Sequence, residues 1–204
     1  MIGLIAIIDY GMGNLRSVEK AFEKLGFDVT VSGDPIVIRR AEGVVLPGVG
    51  AFADCMANLR AAGLEGAVRD TIARKKPFLG ICLGLQLLFR QSEEDGIHEG
   101  LGIFDGTVRR LPEDKKIPHM GWNQVHYVNK APIFKGVPRE SNFYFVHSYY
   151  VDPVDTGIIS TTTDYGLEFT SSIWSGNVYA VQFHPEKSGD VGLKVLENFG
   201  GLCK

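Results

Sequence analysis

Short apolar runs punctuate the first half of the chain. Leu4–Ile8, Val29–Val31, Val44–Leu46 and Phe78–Ile81 are rich in branched residues and bounded by Gly, Pro or charged positions, the pattern of buried strands. Between them, Leu15–Leu25, Phe52–Ala62 and Glu65–Lys75 carry apolar residues at helical spacing. Strands that alternate with helices predict a parallel sheet covered on both faces. Its active surface would lie at the carboxyl ends of the strands, where the loops Asp9–Asn14, Pro47–Gly50 and Gly80–Gly84 gather.

After Glu93-Glu94-Asp95 the pattern changes to short β-rich segments: Thr107–Leu111, Asn123–Val128, Asn142–Val146, Ile158–Thr163, Glu168–Trp174 and Val178–Phe183. These read as antiparallel. An amphipathic helix, Val191–Phe199, closes the chain. The expected fold class is α/β: one domain over residues 1–204, with a central mostly parallel, mixed sheet flanked by helices and an antiparallel β-rich second half. A length of 204 residues suits one well-buried core.

Net charge −3 without a Lys/Arg block leaves no electrostatic footprint for nucleic acid or a membrane surface. The apolar start Ile2–Ile8 has no basic residues before it and meets Asp9 early, so it reads as a strand rather than a secretory signal. No apolar run approaches the ~20 residues of a membrane span. Cys55, Cys82 and Cys203 are odd in number, widely spaced and free of any C-x-x-C pair. A disulfide framework and a zinc site are therefore not expected, and a reducing cytoplasm is. No metal or cofactor is implied. Asp9–Asn14 fails the dinucleotide fingerprint because Arg16 stands where the third glycine belongs.

The chemistry centres on Pro77–Phe89. Phe78, Leu79 and Ile81 form an apolar run, while Leu85, Leu88 and Phe89 recur at helical spacing, so the period changes across Gly80–Gly84. Cys82 sits at the change, with a glycine two residues to either side, as in a nucleophile elbow. Such a turn holds the nucleophile in a strained backbone conformation and has no room for a flanking Cβ. The following helix N-terminus would favour thiolate, and the N–H of Leu83 would be free to bind an oxyanion. With 25 glycines in 204 residues, such flanking of one of three cysteines arises by chance roughly one time in twenty. Independent support is needed.

It comes from the histidines. Of His98, His119, His126, His147 and His184, the last ends an apolar strand and carries a carboxylate, Glu186, two residues on. Pro185 biases His184 toward extended backbone, so both side chains share one side. Glu186 is placed to hold the imidazole as a triad acid does. His98 and His126 suit ordinary surface roles. The loop Pro47-Gly-Val-Gly50 follows a strand and has glycine-freed backbone, so Gly48 and Val49 are candidates for the second oxyanion donor.

With Gly80-Ile-Cys-Leu-Gly84 and Gln182-Phe-His-Pro-Glu186 both in place, the chain resembles the triad-type (class I) glutamine amidotransferases. Within them, Asp9–Asn14, Pro47–Gly50 and Pro118-His-Met-Gly-Trp-Asn123 resemble the glutaminase subunits of imidazole glycerol phosphate synthase. The resemblance implies catalysis by Cys82, His184 and Glu186, with Leu83, Gly48 and Val49 as the oxyanion hole. It implies L-glutamine bound by Gly50, Gln86, His147, Ser148 and Tyr149. It further implies a cyclase partner with a (β/α)8 barrel, forming a heterodimer and docking on Asn14, His119, Met120, Trp122, Asn123 and Lys187. Three other readings remain open on the residues alone: a glutaminase serving anthranilate or aminodeoxychorismate synthesis, a non-catalytic scaffold, and a cysteine hydrolase acting alone.

Overall fold

The structure is a computed structural model that describes residues 3–203; Met1, Ile2 and Lys204, which include the start of the Ile2–Ile8 run and both ends of the expected domain, lie outside the described residues. The first half comprises β1 (Ile5–Ile8), α1 (Leu15–Lys24), β2 (Val29–Ser32), α2 (Pro35–Arg40), β3 (Gly43–Gly48), α3 (Phe52–Ala61), α4 (Glu65–Ala73), β4 (Phe78–Cys82) and α5 (Leu83–Gln86). The second half contains β5 (Phe89–Ser92), β6 (His98–Glu99), β7 (Phe104–Arg110), β8 (His119–Gln124), β9 (His126–Tyr127), β10 (Asn142–His147), β11 (Tyr149–Pro153), β12 (Ile159–Asp164), β13 (Glu168–Ser175), β14 (Val178–Val181) and α6 (Gly189–Gly200).

β1 is fully buried because both sheet faces are covered. Ile5 and Ile7 face Val18 and Phe22 of α1 and Val195 and Phe199 of α6. Ala6 and Ile8 face Ile38 of α2, Met56 of α3 and Val68 of α4. Phe22 and Phe199 meet edge to face at 6.2 Å, and burial of each ring contributes roughly 1.5–3 kcal/mol. The strand order runs β2-β1-β3-β4-β14-β13-β11-β7-β5-β6, with β12 on β13 and β9 on β12. β8 and β10 form a separate antiparallel ribbon. This is the expected α/β class with a mixed sheet.

The structure corrects several details. The antiparallel second half has two exceptions: β14 joins β4 in parallel, and β5 runs parallel to β7. The elbow helix is a single turn, and Phe89 opens a strand. The carbonyls of Leu87, Leu88 and Phe89 accept from Leu101, Ile103 and Gly102, so long-range pairing takes the groups that a longer helix would use. Asn123–Val128 is split between β8 and β9 at buried Val125, whose N–H goes to Ser141 O. Helix α2 was not anticipated, although Asp34 caps it by accepting from Ile36 N at 2.7 Å and Pro35 stands at its first position. β5, β6 and β11 were not anticipated either. Cys203 is a packed residue rather than tail: it is buried, and a Cβ on Gly43 would run into its sulfur.

Candidate active site

Parallel pairing of β3 with β4 sets Gly48 directly beside Cys82. β4 ends there, and Cys82 adopts φ 55°, ψ −111° as α5 begins, a conformation that a non-glycine residue holds only under constraint. The neighbouring glycines make it possible. A Cβ on Gly84 would collide with the carbonyl of Leu46, and one on Gly80 would lie 2.8 Å from Gly84 O. The expected elbow is therefore present, with β3 pressed against its inner side.

β14 brings the base. Beyond it, Phe183 is fully buried and stacks on Phe143 at 4.1 Å, which anchors the segment. His184 follows with φ −100°, ψ 95°, and its N–H donates to Tyr144 O at 2.9 Å. Its Nδ1 lies 2.9 Å from Glu186 Oε1, with side-chain exposures of 3% and 1%. Nε2 of His184 is buried without a hydrogen-bond partner among the described residues. Burial opposes the imidazolium, but the Cys82 sulfur and the Glu186 carboxylate outweigh it and raise His184 to about 10.

One cavity of about 270 Å³ is lined by Val49, Gly50, Cys82, Leu83, Gln86, Glu94, Pro118, Val146, His147, Ser148, Tyr149, His184 and Lys187. Every expected substrate residue therefore meets the expected nucleophile and base in one place. Glu186 stands behind His184, in a recess shared with Asn14 and Gly48. In the loop Pro47–Gly50, Tyr10 Oη donates to Pro47 O at 2.9 Å and the Cys55 thiol donates to Val49 O at 3.4 Å.

Of the expected interface residues, Met120 and Trp122 are 61% and 58% exposed, and Lys187 lies with its ammonium over the Tyr144 ring. Asn14 and Asn123 are half-buried. His119 is buried, so it is not a surface contact. It belongs to an interior relay in which Asn123 Nδ2 donates to His119 Nε2 at 3.2 Å, His119 Nδ1 lies 2.9 Å from His147 Nε2, and His147 Nδ1 lies 2.8 Å from Tyr149 O. The carbonyl only accepts, which fixes both tautomers along the chain.

The family model for glutamine amidotransferase class-I matches residues 6–200. The chain belongs to the class-I glutamine amidotransferases. Within that family it is similar to the imidazole glycerol phosphate synthase subunit HisH of Moorella thermoacetica, 57% identical over 98% of this chain and 95% of that protein. The protein of that name from Aquifex aeolicus is 56% identical over 95% of this chain and 94% of its own. Among solved structures, PurLQS from Thermotoga maritima superposes with TM-score 0.78 at 19% identity, covering both chains fully; it supports the fold alone.

In this class-I glutamine amidotransferase, two residues of the site escaped sequence reasoning. Gln182 is fully buried with its amide at the sulfur of Cys82, and its signal was a place two residues before His184, just past the end of β14. Glu94 lay in an acidic run that read only as a change of composition. Its carboxylate lines the cavity, accepts from Phe52 N at 2.6 Å, and is raised by burial. Cys55, assigned no role from sequence, lies against the loop Pro47–Gly50. Among the described residues, no helix is long and apolar enough to cross a membrane, and no group of three His, Cys, Asp or Glu is placed to hold a metal.

Proposed function

We propose that this chain is the glutaminase subunit of an imidazole glycerol phosphate synthase, hydrolysing L-glutamine and delivering ammonia to a cyclase subunit in histidine biosynthesis. The observation that carries the reading is Cys82 and His184 at one cavity with Glu186 behind His184, in a chain 50–57% identical to several HisH subunits. This similarity favours that pathway over a chorismate-utilising one, and the intact triad argues against a scaffold.

His184 Nε2 takes the thiol proton of Cys82, and the sulfur attacks the side-chain carbonyl carbon of glutamine. The oxyanion that forms is held by the N–H of Leu83 and by the Gly48–Val49 loop. As the C–N bond breaks, the imidazolium returns its proton to nitrogen, and ammonia leaves a γ-glutamyl thioester. A water activated by His184 then attacks the thioester, and glutamate and the thiol are released. Glu186 keeps His184 in the required tautomer. The two amide N–H groups of Gln86 are committed to Tyr149 O and Gln182 Oε1, which leaves its Oε1 to accept from the substrate. Gly50, His147, Ser148 and Tyr149 form the wall for the amino-acid end of glutamine, and Glu94 suits its ammonium.

The consumer of the ammonia is a (β/α)8-barrel cyclase that docks over Met120, Trp122, Asn14, Asn123 and Lys187, in the cytoplasm. The glutaminase fold occupies the whole chain as one domain. Glycine-flanked Val49 makes completion of the oxyanion hole dependent on the partner and its ligand. The test is glutamate release from glutamine by this chain mixed with a cyclase subunit and its ribonucleotide ligand, beside a Cys82→Ala control. Turnover that requires partner and ligand and disappears in the control is the expected result. Turnover indifferent to the partner would reopen the pathway, and none in a demonstrated complex would return weight to a scaffold.

A further inference from the structure

Val181 of β14 lies opposite Ile81 of β4 in parallel register, so Gln182 comes next to Cys82 one residue further on. Gln182 is 0% exposed, and its Nε2 stands 3.7 Å from Cys82 Sγ. The orientation of its amide is dictated by neighbours. Tyr149 O only accepts, so Gln86 must turn its Nε2 toward it, at 3.0 Å. The same nitrogen reaches Gln182 at 3.0 Å and finds an oxygen there. Gln182 is left with its NH₂ group facing the sulfur.

A further polar contact of that sulfur, besides His184, is Val146 O at 3.8 Å. A carbonyl there accepts from the thiol and opposes a thiolate, whereas an amide donor favours the thiolate. The two contacts pull in opposite directions. We propose that Gln182 is a catalytic residue: its amide N–H donates to the Cys82 sulfur and holds the thiolate after His184 has taken the proton. Its part in turnover rests on the glutaminase reading; the contact itself does not. The titratable groups around the sulfur are His184 with Glu186 behind it, His147 on β10, Tyr10 beyond β1 and Cys55 on α3, with Glu94 and Lys187 on the cavity wall. Gln182 does not titrate in the working range, so its contribution is a displacement of the whole Cys82 profile.

The test is the pH dependence of Cys82 alkylation by iodoacetamide in the full chain, with the modified residue read by mass spectrometry. In Gln182→Leu the midpoint is expected to rise by about one pH unit, making alkylation roughly tenfold slower below it. Gln182→Glu keeps the acceptor for Gln86 but has no N–H, and its midpoint is expected to rise further. Both should lower kcat for glutamate release by the cyclase complex while leaving KM for glutamine unchanged. Profiles that coincide with wild type in both variants would overturn the proposal. If neither variant folds, wild-type NMR decides: the Gln182 side-chain amide protons must shift with the ionisation of Cys82, and their failure to do so overturns it. A wild-type complex that releases no glutamate would remove the glutaminase reading and leave the alkylation result standing.

Discussion

Gly48 is the register partner of Cys82 at the ends of β3 and β4, and the approach is so close that a Cβ on Gly48 would lie 2.9 Å from both Leu83 Cβ and Tyr10 Oη. The Pro47–Gly50 loop therefore reaches Cys82 only because residue 48 has no side chain. Gly48→Ala is expected to push the loop back and lower kcat by roughly 10²-fold, the usual cost of one lost oxyanion donor, with partner affinity retained. Steady-state kinetics at saturating cyclase check this. An unchanged kcat would remove the loop from the oxyanion role.

Glu186 serves His184 through a single buried contact of 2.9 Å. Glu186→Gln keeps the shape but removes the charge, and kcat should fall by roughly 10²-fold or more. The carboxylate is one reason that His184 is raised to about 10, so the alkaline limb of the pH profile for kcat/KM should move to lower pH in the variant. A limb in the same place would mean that the carboxylate does not set the imidazolium.

Acid should destabilise the fold through His119 and His147. Burial lowers them to about 4 and about 3, whereas unfolded histidine titrates near 6.5. Between those values the unfolded chain binds protons that the folded chain refuses. The stability they provide is present above about pH 6.5 and is lost as pH falls toward 4, on the order of 4 kcal/mol by pH 5 for the pair. His184 has the opposite sign, its contribution persisting below 6.5 and fading as pH rises through about 10. Urea unfolding at pH 7 and pH 5 measures the slope, and His147→Gln should flatten it.

Trp122 and Met120 project from β8 at more than half exposure, beside Tyr144, whose ring meets Trp122 edge to face at 6.1 Å. Trp122→Ala is expected to weaken cyclase binding by about 30-fold, as for an aromatic anchor, and to leave turnover at saturating partner intact. Calorimetric titration decides it. Lys187→Ala tests coupling across the same patch: if affinity and turnover both stay unchanged, Lys187 has no part in docking.

The parallel half of the fold was legible because each strand is a short apolar run, and the change of period at Gly80–Gly84 marks the turn where Cys82 sits. His184 and Glu186 were legible because they are two residues apart with a proline between them. The elbow helix reads as longer than it is because Leu85, Leu88 and Phe89 have helical spacing, while the carbonyls of Leu87, Leu88 and Phe89 are claimed by residues 101–104. His119 reads as a surface residue because β8 alternates; its inward face is set by His147 of β10, its register partner.

The sequence by itself determined the nucleophile, its base and the acid behind the base, because local spacing decides which side chains share a turn or a strand face. The tertiary structure alone decided what surrounds them. Gln182, Glu94 and the His119–His147 relay reach the site across strands and loops far apart in the chain. Such contacts depend on sheet order and register, and the placement of β14 beside β4 has no local signature.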